Sequence, residues 1–300
     1  MKAFWDSDLA YSFRHSPLAI VAGLVAALCV LGAVLSPWIA PHDPFDLAKL
    51  NLLDSLQPPV FLAEGVWDFP LGTDNQGRDI LSAMMYGARI SLLVGVSAVA
   101  FALLVGTFVG LLAGFTGGTL DAVLMRVADI QLTFPAILIA LLVDGIAGAA
   151  LPKALHQQMQ IPVLIFAIGI ANWPQFARTV RGSTMVERGK DYVLAAQVIG
   201  ITAPRIMLSH ILPNVLGPVL VIATLNLGFA ILAEATLSFL GVGLPPTRPS
   251  LGTLIRVGND FLMSGEWWMT IFPGVALVLL VGSINLLGDW LRDALNPRLR

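Results

Sequence analysis

Long apolar stretches alternate with short polar ones along the chain. Six of them reach the length of about 20 residues needed to cross a hydrocarbon core of about 30 Å. They cover roughly 17–40, 90–115, 124–148, 160–177, 214–241 and 268–291. None shows the ten-residue in-out alternation of a membrane barrel. Lipid offers no partner to a free backbone N–H or C=O, so all six are predicted to be helices. The expected fold class is an all-α membrane protein with six transmembrane helices.

The polar gaps set the orientation. With the N-terminus in the cytoplasm, Lys2, Arg14, Arg126, Arg178, Arg181, Arg188, Lys190, Arg205, Arg292, Arg298 and Arg300 fall inside. Lys49, Arg78, Arg89, Lys153, Arg248 and Arg256 fall outside. The 11 to 6 split follows the positive-inside rule and places both termini in the cytoplasm. Residues 41–88 carry Asp43, Asp46, Asp54, Glu64, Asp68, Asp74 and Asp79 and are expected to be extracytoplasmic. A capped interfacial helix is predicted from about Arg78, with Ile80, Leu81, Met84 and Met85 toward the membrane. The chain therefore divides into a cytoplasmic segment 1–16, a first helix 17–40, the outer loop 41–88 and a five-helix core 89–300.

Composition agrees with the pattern. Mean hydropathy is +0.82 and only 12% of residues are charged, against about 25% in soluble domains. The net charge of −2 points to no nucleic-acid partner. Cys29 is the single cysteine, which excludes an internal disulfide or a cysteine-based metal site. The four histidines show no metal-ligand spacing, so no metal, cofactor or catalytic residue is expected.

The inner segment 178–213 holds the most informative pattern. Asp191 to Ile199 and Ala203 to Leu212 read as two short helices around a sharp turn. Gly200 suits a left-handed position after the first helix. Thr202 can cap the second, Pro204 fits its first turn, and Pro213 marks its end. Ala195 and Ala196 leave a smooth surface, and Ile206, Met207 and Ile211 form an apolar stripe. The pair can lie in a groove on a partner protein, or be an ordinary inter-span loop with interfacial helices.

Ala195-Ala196, then Gly200, then Ile211-Leu212-Pro213 resembles the "EAA" loop of ATP-binding-cassette (ABC) importer permeases, with Leu194 where that motif has Glu. Leu71 to Asp79, Tyr86 to Ser91, Met125 to Asp129, Glu234 to Gly243, Phe272 to Gly274 and Asn285 to Pro297 resemble the C-type permease of dipeptide and oligopeptide importers. The resemblance implies the type I importer permease fold, with a cytoplasmic coupling helix. It assigns ATPase coupling to Ala195, Ala196, Gly200, Thr202, Pro204, Arg205 and Pro213. It also implies a homologous second permease, two ATP-binding subunits that hold the ATP and Mg, and an extracytoplasmic peptide-binding protein. No Gly-x-x-x-x-Gly-Lys-Ser/Thr stands in this chain, which fits ATP hydrolysis on another one. Relatives with these motifs import peptides, glutathione or nickel chelates. A stand-alone secondary transporter would instead call for inverted repeats or a ring of pore charges.

Glu234 lies mid-span in the fifth helix by this reading. A carboxylate there is costly unless paired or facing water. Two roles stay open: lining the substrate path, or a structural, paired or neutral one.

Overall fold

The computed structural model describes residues 8–46, 50–245 and 247–295. Lys2, Lys49, Arg298 and Arg300, counted above for orientation, lie outside the described residues, as do Asn296 and Pro297 of the C-terminal motif. The helices are α1 (Asp8–Arg14), α2 (Pro17–Val34), α3 (Ile80–Thr116), α4 (Gly118–Leu132) and α5 (Ala136–Ala150). They continue as α6 (Lys153–Arg188), α7 (Asp191–Val198), α8 (Ala203–Phe239), α9 (Leu251–Phe261) and α10 (Trp268–Ala294). Five of them are long and apolar enough to span a membrane, and α4 with α5, bent by 91°, makes a sixth if the pair is counted as one broken span.

Four boundaries differ from the sequence reading, each for a local reason. No separate interfacial helix precedes the second span, because Asp79 caps α3 through Ser82 N at 2.9 Å and the helix then runs 37 residues unbroken. At 1.5 Å per residue it is about 55 Å long and projects beyond the bilayer. The predicted helix 124–148 is broken at residues 133–135, where α4 and α5 meet at 91°. Pro135 lacks an N–H and biases Phe134 away from helical angles. The helix of the fourth span extends to Arg188, so the first part of the 178–213 segment is helix, not loop. The fifth span begins at Ala203, and Pro213 does not separate it from the turn. Pro213 is absorbed by a π-helical turn, Met207–Ile211, that continues into Leu212–Phe239.

The core of the bundle is α3 against α6. Gly106, Gly110 and Gly114 stand four residues apart and face α6 with no side chain between the helices. A Cβ on Gly110 would lie 2.5 Å from Ala177 O, and one on Gly106 2.5 Å from Phe176 Cβ. Close backbone approach of this kind lets dispersion replace the hydrophobic drive that lipid removes.

The loop between α2 and α3 is fastened to two long helices. Asp74 Oδ1 accepts from Gln76 N at 2.8 Å and Arg78 N at 2.9 Å, and Arg78 Nε donates to Asp74 Oδ2 at 2.6 Å. Trp268 Nε1, at the start of α10, donates to Thr73 O at 3.2 Å. The acids of this motif are thus consumed in shaping the loop and starting α3.

Candidate functional site

The segment between the fourth and fifth spans folds into a stiff projecting turn. Its first helix, α7, ends in paired carboxy-terminal bonds: Gly200 N donates to Gln197 O at 3.0 Å and Ile201 N to Ala196 O at 3.0 Å. That pattern needs a left-handed residue, and Gly200 has φ +82° with open space where a Cβ would project. Thr202 holds the cap position of α8, but its side chain makes no capping bond. Its carbonyl accepts from Ile206 N, and Pro204 in the first turn brings no N–H to satisfy.

The apolar residues of the turn divide differently from expectation. Ile206 and Ile211 are buried in the protein's own core beside Val193 and Ala196, so that stripe anchors the turn to the bundle. The surface left open is formed by Leu194, Ala195, Val198, Ile199 and Gly200, with Val198 87% and Ile199 74% exposed. Thr202, Pro204, Arg205 and Pro213 are exposed as well. Ala195 and Ala196 therefore have separate roles, the first on the open face and the second in the packed one.

Sequence reasoning missed the side chains that lock this turn to both spans. Tyr192 Oη on α7 donates to Glu187 Oε2 at the end of α6 at 2.6 Å, and accepts from Asn214 Nδ2 on α8 at 3.2 Å. Asn214 Nδ2 also donates to His210 O at 2.7 Å, so His210 joins through its backbone. Lys190 Nζ pairs with Glu187 Oε1 at 2.6 Å. Burial raises the Tyr192 phenol, and its bond to the Glu187 carboxylate raises it further. Tyr192 in the first turn of a short helix, flanked by Glu187 and Lys190, is a faint signal that spacing alone could have raised.

Glu234 sits elsewhere. It lies five residues before the end of α8, Phe239. The side chain is fully buried. Ser91 Oγ on α3 donates to Oε2 at 2.7 Å and Ser238 Oγ to Oε1 at 2.7 Å. Leu251 N, the first N–H of α9, donates to Ser91 Oγ at 3.4 Å. One carboxyl group thus gathers α3, α8 and the start of α9, and Gly252 lets α9 approach so closely that a Cβ would meet Ala235 O at 2.3 Å. The structure does not bring Glu234 near the projecting turn, which lies at the opposite end of α8.

The described residues thus form a multi-pass helical bundle with an apolar-tipped turn tied to two adjacent long helices. Comparison with known proteins gives its class, a membrane permease. A family model described as binding-protein-dependent transport system inner membrane component matches residues 106–300, and one for the N-terminal TM domain of oligopeptide transport permease C matches residues 4–59. The chain belongs to the family of binding-protein-dependent transport system inner membrane components. It is 39% identical over 300 residues to the di/tripeptide transport system permease protein DppC of Pseudomonas aeruginosa, covering 100% of this chain and 93% of the relative. It is 36% identical over 293 residues to the oligopeptide transport system permease protein OppC of Bacillus subtilis, covering 98% and 90%. Among solved structures, the MetNI methionine ABC transporter in an inward-facing conformation matches with a TM-score of 0.56 at 20% identity, over 71% of this chain and 96% of the other. That likeness establishes the permease fold.

Proposed function

We propose that this chain forms half of the translocation pathway of an ATP-driven importer for di- and oligopeptides. It sits in a bacterial plasma membrane with both termini in the cytoplasm. A homologous permease completes the pathway, two ATP-binding subunits dock beneath it, and an extracytoplasmic peptide-binding protein delivers the substrate. The chain itself carries no catalysis. The observation that carries this reading is the turn at 191–202. Its apolar tip is open to a partner while its base is tied to α6 and α8 by the Glu187–Tyr192–Asn214 links.

The mechanism follows from that geometry. ATP binding closes the ATPase pair and displaces the docked tip, and the tip cannot move without taking the inner ends of α6 and α8 with it. The pathway then changes its open side. An energy source shifts such an equilibrium only by its differential interaction with the two states, so docking contacts at the tip must differ between them.

The test is reconstitution of the full complex in liposomes with ATP inside and labelled peptide outside. Val198→Asp and Ile199→Asp lie on the open face and should abolish coupled uptake while the permease still folds. Uptake at the unsubstituted rate in both variants would reject the docking assignment. Competition by unlabelled dipeptide, glutathione and a nickel chelate identifies the cargo, and competition by glutathione or the chelate alone would replace the peptide reading.

A further inference from the structure

The third and fourth spans each carry a flaw at the same depth. In the third, α4 ends at Leu132 and α5 begins at Ala136 after the 91° bend. In the fourth, Pro174 lies inside α6 and has no N–H, so the carbonyl four residues earlier, that of Ile170, has no donor from the helix ladder. Gln131, the penultimate residue of α4, fills that gap: its Nε2 donates to Ile170 O. Its Oε1 accepts from Trp173 Nε1 at 2.9 Å. An indole nitrogen can only donate and a carbonyl can only accept, so the two bonds together fix the orientation of the amide.

The surroundings divide into two bodies about this level. On the cytoplasmic side α4 is clamped to α6, where Arg181 Nη2 donates to Asp121 Oδ2 at 2.7 Å. That half of α6 leads directly to Glu187 and the projecting turn. On the outer side α5 packs on the other half of α6, with Ala140 in one core with Leu164 and Ala167. Gln131 is the side chain that crosses from one flaw to the other.

We propose that Gln131 joins the break at residues 133–135 and the gap at Pro174 into a single hinge, through which motion of the docked turn is handed to the outer half of the third span. Gln131 is a positioning residue: it acts through Ile170 and Trp173 and touches no substrate. A Pro-induced gap alone would let α6 bend in several directions. Tying its free carbonyl to the end of α4 makes the two helices bend together. The inference rests on the permease reading, because the motion it transmits is the one that drives import.

The test uses the full reconstituted complex with cysteine-free partner subunits. In this chain Cys29→Ser removes the single cysteine. Spin labels then go to the exposed positions Leu142 on α5 and Val186 on α6. In the unsubstituted complex, trapping with ATP and vanadate should change the label separation. Gln131→Leu leaves Ile170 O and Trp173 Nε1 without partners and should lower thermal stability. Adding Pro174→Ala restores a backbone donor to Ile170 and should recover the part of that stability owed to the carbonyl, with Trp173 Nε1 still unpartnered, yet leave the label separation fixed and uptake reduced about tenfold, within the range by which coupling residues act. Pro174→Ala alone keeps the Trp173–Gln131 bond and is the control for the loss of the proline: it should import more, and change its label separation more, than the double variant. Normal uptake with a normal change in separation in the double variant would show that the amide only satisfies a carbonyl and would overturn the hinge. An importing complex whose label separation never changes overturns it too. Failure of the unsubstituted complex to import any solute with ATP would strike the permease reading instead.

Discussion

Tyr192 and Glu187 stand five residues apart on two different helices and share a hydrogen bond of 2.6 Å. Through this bond the end of the fourth span holds the helix of the projecting turn, and Asn214 holds the same phenol from the fifth span. Tyr192→Phe keeps the ring and removes both bonds. Loss of hydrogen bonds of this type costs about 1–3 kcal/mol. The variant should assemble with its ATPases, hydrolyse ATP, and import less solute per ATP, as measured by the ratio of uptake to phosphate release.

The same phenol gives a pH signature. Its pKa is raised in the folded protein by burial first and by the Glu187 bond second. The native state then holds its proton more tightly than the unfolded chain does. The stabilisation is complete below the ordinary tyrosine value of about 10 and is lost as pH rises from there through the raised value. An ultraviolet difference titration of the unsubstituted protein against Tyr192→Phe should place this group above the ordinary range. A midpoint at or below that range would break the assignment.

Gly110 sits where α3 and α6 touch backbone to backbone. A larger residue has Ala177 O and Val180 Cβ in its way, at 2.5 and 2.7 Å from the position of a Cβ. Gly110→Val should destabilise the permease by about 1–3 kcal/mol, as overpacking does elsewhere. Gly282 on α10, whose Cβ would meet nothing within 4 Å, supplies the control: Gly282→Val should leave the detergent melting temperature near that of the unsubstituted chain.

Glu234 separates its two candidate roles cleanly. Glu234→Gln can still bond to Ser91 and Ser238, whereas Glu234→Leu strands both hydroxyls in a dry site and releases the start of α9. If the carboxyl is a structural tie, the Gln variant imports normally and the Leu variant loses about 1–3 kcal/mol of stability. A raised KM in the Gln variant with unchanged melting would instead place the residue on the substrate path.

How much of this was legible beforehand depends on the distance over which each feature is encoded. Hydropathy and charge placement are local, and the six spans followed from them because the bilayer imposes one length and one secondary structure. The turn at Gly200 was legible for the same reason, since a glycine between two helical runs with Pro204 beyond it leaves few backbone solutions. Helix ends were less so. Nothing between residues 80 and 116 stops a helix, yet a hydropathy window ends at its charges, and the window misplaced the start of α3 at residue 90. The stripe of Ile206 and Ile211 stayed open in the sequence between a partner's groove and an interfacial helix, because an apolar residue has the same signature whether it is covered by its own chain, by another or by lipid.

The sequence by itself determined a helical membrane protein of five or six spans, with a helical turn around Gly200 and a carboxyl group in the long helix that follows it. Only the tertiary structure decided what meets what. Glu234 finds Ser91 across 143 residues, Trp268 finds Thr73 across 195, and Gln131 finds Ile170 across 39. In lipid every polar group must find a partner inside the protein, and packing alone selects which one. The projecting turn was written locally, but its attachments to the fourth and fifth spans were set by how those spans pack.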